Sequence, residues 1–493
     1  MTSAIARDSR AAGLAALALF ALLGSACSSK TDTASADATS GGEDEASGLS
    51  VKMPPAAAAA AAPSAPAQAA PVADKDYRPQ LPDAPPVQGA DQPPPPPSGP
   101  SPWGAADADS GTPLPARPTM NSKAAQAFNQ GTAAAAKNDL AGARAAFERA
   151  LAADARAYAA AYNLGVIADR QGQANQALQW YARALKIQPD YESAVHGAVD
   201  IYVRQGSPDQ AVAYAQPIAK KWQRNLALQA ILADALVEAN RLDEAEQVAR
   251  EALRRDERFV PAMVALANAS LRRGRLELAD SILEQALAID PNYAEIHFLQ
   301  GKRSQQEDRL AQALDSYRKA VRLRPSYSEA RMALGIQYMA AGNYAEAQTE
   351  FEAVSQLVPT LVAAHLNLGD AYRANRRFQD AKREFDQALR MQSSLPEAHF
   401  DLGLLYMDAG ADFPGLKLLD ALQRAVLEFT TYREQMGSRL TKNDSATTYI
   451  ADLQRQIDRE RKRIDREAAQ KQRDAERAAR AAGQTSGKTE AKP

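Results

Sequence analysis

The feature that most limits how this chain can fold is a repeat of 34 residues that runs without insertion or deletion. Glycines at 131, 165, 301, 335, 369 and 403 are separated by multiples of that length. They sit in the motifs Phe128-Asn129-Gln130-Gly131, Tyr162-Asn163-Leu164-Gly165, Met332-Ala333-Leu334-Gly335, Leu366-Asn367-Leu368-Gly369 and Phe400-Asp401-Leu402-Gly403. Twelve residues after each such position alanine stands in every unit: Ala143, Ala177, Ala211, Ala245, Ala279, Ala313, Ala347 and Ala381. Four residues further on come Phe147, Tyr181, Ala215, Ala249, Leu283, Tyr317, Phe351 and Phe385, and Pro189, Pro291, Pro325 and Pro359 close several units. A unit this small cannot bury its own apolar face, so neighbours must stack. The pattern fits a helical hairpin. Glycine and alanine sit where two antiparallel helices touch, and the aromatic fills the adjoining gap between neighbouring units. The proline ends the second helix because it cannot donate to it. Scarce aromatics and heavy use of alanine also favour closely packed helices over a sheet with a bulky core.

This period and pattern resemble the tetratricopeptide repeat (TPR). The resemblance covers about residues 124–395 as eight repeats, with a ninth first helix at about 396–409. It implies an all-α fold, a right-handed superhelical solenoid of antiparallel helix pairs, with the array over 122–409. Val199, Ala233 and Ala267 replace the glycine in units three to five, and Pro217 falls inside the second helix of unit three. A proline there is expected to remove a hydrogen bond and kink the helix; family drift and a flexible joint both account for these units. Residues 410–445 read as a modified capping hairpin, with Leu422, Val426, Phe429 and Tyr432 at helical spacing. Residues 446–493 read as a charged helix with a frayed tail. Its apolar stripe, Ile450, Leu453, Ile457 and Ile464, is too short for a coiled coil. Asp458 with Lys462 and Glu467 with Lys471 are spaced as helical ion pairs. The helix is either solvated or docked on a partner.

The N-terminus carries an address. Residues 1–26 read as a lipoprotein signal peptide: Arg7 and Arg10, diluted by Asp8, precede an apolar run over 11–23 that is too short to span a bilayer. Leu23-Gly24-Ser25-Ala26-Cys27 resembles a lipobox, with Gly24 where leucine is usual. Cys27 is the single cysteine, which excludes an internal disulfide and any zinc site built on paired cysteines. Cys27 is therefore the candidate lipidation site; the alternative is an ordinary secretory signal in which it is incidental. Ser28 follows it. In proteobacterial lipoproteins an Asp at that place often means inner-membrane retention, so by that resemblance the protein is lipid-anchored at the outer membrane and faces the periplasm. Residues 27–121 are rich in Ala, Pro, Ser, Asp and Gly, with alanine over 56–62 and proline over 93–97. They read as a disordered, partly polyproline tether, either a leash of selected length or a tolerated low-complexity stretch.

The formal net charge of -2 gives no sign of the clustered basic face that a polyanion-binding protein shows. No Gly-rich phosphate loop, zinc-protease helix or nucleophile elbow occurs. Three of the four histidines, His297, His365 and His399, share one repeat position, four before the glycine, and are expected in the core or at its edge. His196 falls one place later, on the face expected to line the groove. A scaffold is expected, not an enzyme, with no cofactor, no metal, no small-molecule substrate and no nucleic acid.

In TPR proteins the first helices line the concave surface. By that resemblance the groove offers Phe128, Tyr162, Phe298, Met332, Leu366 and Phe400, with Asn129, Asn163 and Asn367 beside them. In some TPR proteins an Asn at this site binds the backbone of an extended peptide, as an amide both donates and accepts. Asp169, Arg170, Arg204, Asp370 and Arg373 add charge. The partner-binding candidates are Tyr162, Asn163, Asn367 and Arg373, taken as groove-facing; the other reading makes the aromatics partly core. The Lys and Asn constellation of the carboxylate clamp does not occur in any one repeat.

The order of parts, with Asp412-Phe413-Pro414-Gly415 and the helix around Thr430-Thr431-Tyr432-Arg433-Glu434, resembles the TPR lipoproteins of the myxobacterial adventurous gliding-motility machinery. That resemblance implies a periplasmic scaffold in an envelope-spanning complex, anchored at the outer membrane and partnered by periplasmic and outer-membrane proteins. An accessory lipoprotein for assembly of outer-membrane proteins or a pilus secretin is the alternative. A cell-wall enzyme or its activator has no positive feature.

Overall fold

A computed structural model describes residues 112–441 and 444–486. The expected signal peptide, Cys27, nearly all of the expected tether and residues 487–493 lie outside the described residues. The described residues form helices and turns only. Eight hairpins follow one another: α1 (Ser122–Ala136) with α2 (Leu140–Ala153), α3 (Tyr158–Arg170) with α4 (Ala174–Ile187), α5 (Glu192–Arg204) with α6 (Pro208–Lys221), and α7 (Leu226–Glu238) with α8 (Leu242–Arg255). The second four are α9 (Val260–Arg272) with α10 (Leu276–Ile289), α11 (Ala294–Gln306) with α12 (Leu310–Leu323), α13 (Ser328–Ala340) with α14 (Tyr344–Leu357), and α15 (Val362–Ala374) with α16 (Phe378–Met391). A ninth pair, α17 (Pro396–Ala409) and α18 (Leu418–Met436), precedes the long α19 (Ser445–Ser486). This is the all-α TPR solenoid.

The alanines twelve residues past the glycine position are all buried, none more than 1% exposed. The aromatic ring lies against the glycine of its own unit, and Tyr181 also fills the gap to the next unit, where a Cβ at Gly197 would fall 2.7 Å from its ring. A Cβ at Gly131, Gly165, Gly301, Gly335 or Gly369 would fall 2.4–2.6 Å from the ring of Phe147, Tyr181, Tyr317, Phe351 or Phe385. The missing side chain is thus the space the ring occupies. In units three to five the swap is reciprocal: Val199, Ala233 and Ala267 fill the glycine position, and Ala215, Ala249 and Leu283 replace the ring, all buried. Atoms added at the glycine position are thus accompanied by atoms lost at the ring position. The ninth hairpin keeps the contact despite its longer connection, since Phe429 meets Gly403 in the same way.

Each first helix ends on a left-handed residue, at Asn138, Gly172, Gly206, Asn240, Gly274, Asp308, Gly342 and Arg376, again 34 apart. There the backbone reverses and backbone N–H groups recapture the last helical carbonyls; Asp139 N–H, for example, donates to Ala134 at 3.0 Å. The second helices before Pro291, Pro325 and Pro359 stop at Ile289, Leu323 and Leu357. Pro217 does not interrupt α6, which continues to Lys221. The turn at Gly172 comes up against Thr360, where a Cβ would lie 3.0 Å from Thr360 Cγ2, so units far apart in sequence meet. In α19, Ala446, Leu453 and Ile457 are buried and Tyr449 stacks near Phe429 at 5.4 Å, whereas Ile464 is exposed. The apolar stripe therefore closes the end of the array.

Gly335→Ala should destabilise the protein by about 1–3 kcal/mol, since its methyl has no room beside Phe351. Adding Phe351→Leu, which recreates the pairing of Ala267 with Leu283, should recover part of that loss, with a coupling of about 0.5–3 kcal/mol in a denaturation double-mutant cycle. Simple additivity would show that the two positions do not share space.

Candidate partner-binding groove

The four expected groove residues are more deeply built in than the sequence suggests. Tyr162 is half-buried, its ring 5.7 Å from Tyr181 and 5.5 Å edge-on to Tyr191, and burial pushes its hydroxyl pKa up. Asn163 and Asn367, expected to face the groove, are only 3% and 7% exposed. Each donates to the carbonyl four residues back in its own helix, Asn163 to Ala159 at 2.9 Å and Asn367 to Ala363 at 2.8 Å. The cause is the preceding repeat: the Asn367 amide also meets Met332 Sδ at 3.5 Å, one unit earlier. A buried N–H takes the nearest acceptor. Asn129, in the first unit, has no described repeat before it and stays exposed. Arg373 is likewise engaged, bonded to Asp408 and, at 3.2 Å, to Asp370. Burial opposes its charge, but Asp370 and Asp408 overcome that and raise its pKa.

The groove floor is a ladder of polar pairs between first helices one repeat apart. Arg204 bonds both oxygens of Asp169 at 2.6 Å, Arg272 bonds Glu238 at 2.8 Å, and Lys302 reaches Asn268 at 3.5 Å. Asp234 and Asp401 have no hydrogen-bond or ion-pair partner among the described residues. Asp234 is open to solvent, but the groove walls that crowd it push it up to about 7, with Glu238, Glu295 and Asp200 adding to the rise and His196 opposing it. Asp401 is raised well above the usual carboxylate range by burial and by Asp370, against Arg373. His196 pairs with Asp200 at 3.0 Å, and its side chain is reached by solvent although groove walls crowd it. Asp200 holds it protonated, up to about 9, helped by Asp234 and opposed by burial and by Arg324 at the end of α12. Arg324 belongs to unit six and His196 to unit three, so charges from distant repeats act on one another here.

The other three histidines face the body of the array. His297 and His365 meet the carbonyls of Pro291 and Pro359 at 2.9 and 3.0 Å, and His365 and His399 meet Glu384 and Glu428 at 2.7 and 2.8 Å. Arg331 at the same repeat position does the same work, bonding the Pro325 carbonyl and Glu350. These side chains stitch the loop between units to the next hairpin. Among the described residues no three His, Cys, Asp or Glu side chains converge to hold a metal ion.

Two family models, both of the tetratricopeptide repeat, match the chain. One fits residues 128–192, 196–258, 232–294 and 264–328, and the other 305–368 and 338–399. Together they span more than half of the sequence, and the chain belongs to the TPR family. Its repeats make it a scaffold for protein–protein interaction. No curated protein matches the sequence. Among solved structures it is similar to the APC/C hetero-tetramer Cut9–Hcn1 at 13% identity, covering 67% of this chain and 76% of that chain with a TM-score of 0.42. It is also similar to TTC0263, a thermophilic TPR protein of Thermus thermophilus, at 24% identity over 37% of this chain and 100% of that one, TM-score 0.32. A third is YrrB, a TPR protein with an unusual peptide-binding site, at 22% identity over 37% and 95%, TM-score 0.28. None of these lends this chain a partner or an activity.

The His196 imidazole should titrate near pH 9 in ring-proton NMR, assigned with His196→Gln, and Asp200→Asn should bring it down to or below its ordinary 6.5. Because the folded value is raised, the stability this pair contributes is complete below 6.5 and is lost as pH climbs through about 9. A wild-type midpoint near 6.5 would show that Asp200 does not hold the proton.

Proposed function

We propose that this chain is a lipid-anchored scaffold of the outer membrane, facing the periplasm, whose TPR groove holds segments of partner proteins in an envelope-spanning complex, with gliding motility as the process served. The observation that carries this reading is the order of parts: a single cysteine, Cys27, directly behind a short apolar run, then a Pro/Ala-rich stretch, then an uninterrupted TPR array. The reading is of binding without catalysis, because the groove's charged groups mostly pair with one another along the ladder and do not converge on one reacting point. Asp234 and Asp401 are the groove acids left for a partner's cationic or donor groups to meet.

Cys27→Ala should abolish labelling by a fatty-acid analogue and leave unprocessed precursor; labelling equal to wild type would remove the anchor. Crosslinking in intact cells should recover envelope proteins, and Asp234→Asn with Asp401→Asn should reduce that recovery roughly tenfold or more, as expected when charged hydrogen bonds are lost. The melting curve should not fall, because each replacement relieves a carboxylate held against its preferred charge state. Unchanged recovery would move partner binding out of the groove.

A further inference from the structure

The near-neutral composition conceals a sorted charge pattern in α19. At about 100° per residue, Arg455, Arg459, Lys462, Arg466, Arg473, Arg477 and Arg480 fall within roughly a 60° arc of the helix. They form a row about 37 Å long by helical rise. The acids lie mostly to its sides: Asp458, Asp465 and Glu476 on one flank, Glu460, Glu467 and Asp474 on the other. The buried Leu453 and Ile457, which pack on the array, are on the opposite face, and Ile464, Ala468 and Ala475 continue that side. The row therefore points away from the solenoid, and residues 461–480 are exposed throughout. Arg455 is bonded to Asp452, but Arg459, Lys462, Arg466, Arg473, Arg477 and Arg480 have no ion pair among the described residues. The expected pairs of Asp458 with Lys462 and Glu467 with Lys471 do not form; Glu467 is taken by Arg463, off the row. The expectation of no clustered basic face is thus corrected, because a charge average along the sequence cannot register sorting around a helix.

We propose that this row is a docking surface for an anionic lipid bilayer, a second membrane attachment at the far end of the chain from Cys27. Charge complementarity requires an anionic occupant. A straight row with nothing overhanging it can lie along a flat surface over its whole length. The row holds no apolar residue, so contact is electrostatic and the headgroups, not the acyl layer, are what it meets. The choice of a membrane over another polyanion rests on the lipid-anchored reading, since an acyl chain and a polybasic patch together give the stable attachment that one chain alone does not.

The test uses the full chain from Ser28 onward, without lipid, so its outcome does not depend on whether Cys27 is acylated; fatty-acid labelling decides that separately. The protein should sediment with phosphatidylcholine vesicles containing about a third phosphatidylglycerol, not with phosphatidylcholine alone, and should be released at high salt. Arg473→Gln with Arg477→Gln should weaken binding roughly tenfold or more. Arg461→Gln with Lys471→Gln, the same charge change off the row, should leave it within about twofold, and Arg473→Lys with Arg477→Lys should preserve it. Circular dichroism should show equal helix in all variants. Equal binding to neutral vesicles, equal loss in both glutamine pairs, or tighter binding to duplex DNA or polyglutamate than to the vesicles would overturn the proposal.

Discussion

Everything in this molecule depends on how closely the two helices of a hairpin approach. A ring laid on a glycine backbone, with a buried alanine beside it, fixes that approach in the outer units, as between Gly335, Ala347 and Phe351. Where the glycine gains atoms, as at Ala267, the partner loses them, as at Leu283. Because the hairpin geometry is held, 34-residue steps superpose and one repeat position of successive first helices faces the same groove. The polar ladder of Asp169 with Arg204 and Glu238 with Arg272 exists only because those steps stay in register. The ninth pair shows that the contact outranks the sequence spacing. Phe429 stands 26 residues after Gly403 instead of 16, yet its ring covers the same backbone.

The hairpins, their boundaries at Pro291 and Pro325 and the small residues at their contacts could be read from sequence because each is a local steric demand repeated at fixed distance. The left-handed turns were missed. Their demand is conformational, and Gly172, Asn240, Asp308 and Arg376 meet it with four different residues, so no identity pattern marks the position. The pairing of glycine with ring was visible only as two separate series, since the residues are sixteen apart and nothing along the chain says that they touch. The burial of Asn163 and Asn367 was not legible for a further reason: whether that position meets water depends on the unit before it, which periodicity within a unit does not report. Asn129 has the same local sequence setting and the opposite exposure.

Charge was the hardest property to read, and for one reason in both halves of the molecule. In the groove, acids and bases from different repeats converge, so Asp234 is raised by Glu295, far away in sequence, and His196 feels Arg324. In α19 the opposite happens, and neighbours in sequence are separated around the helix. The same periodicity of about 3.6 residues that gathers Leu453 and Ile457 onto the array turns an interleaved run of Arg, Lys, Asp and Glu into faces of distinct sign.

The sorting in α19 has a structural consequence of its own. A helix that leaves the body of the protein has little burial to hold it and must rely on contacts along its surface. Those contacts lie beside the basic row. Arg463 bridges Glu460 and Glu467, Gln470 reaches Asp474 at 3.1 Å, and Gln472 reaches Glu476 at 3.4 Å. Side-chain pairs at this spacing each stabilise a helix by about 0.2–0.5 kcal/mol. Support for the helix is therefore assigned to the flanks and, apart from Arg455 with Asp452, the cations of the row are left out of it. Had solubility been the only demand, cations placed on any exposed face would have served, and pairing every one of them with an acid would have stabilised the helix further. Arg466, Arg473 and Arg477 instead stand in line, unpaired among the described residues and turned away from the array, which is the arrangement of a surface kept open for something outside the chain.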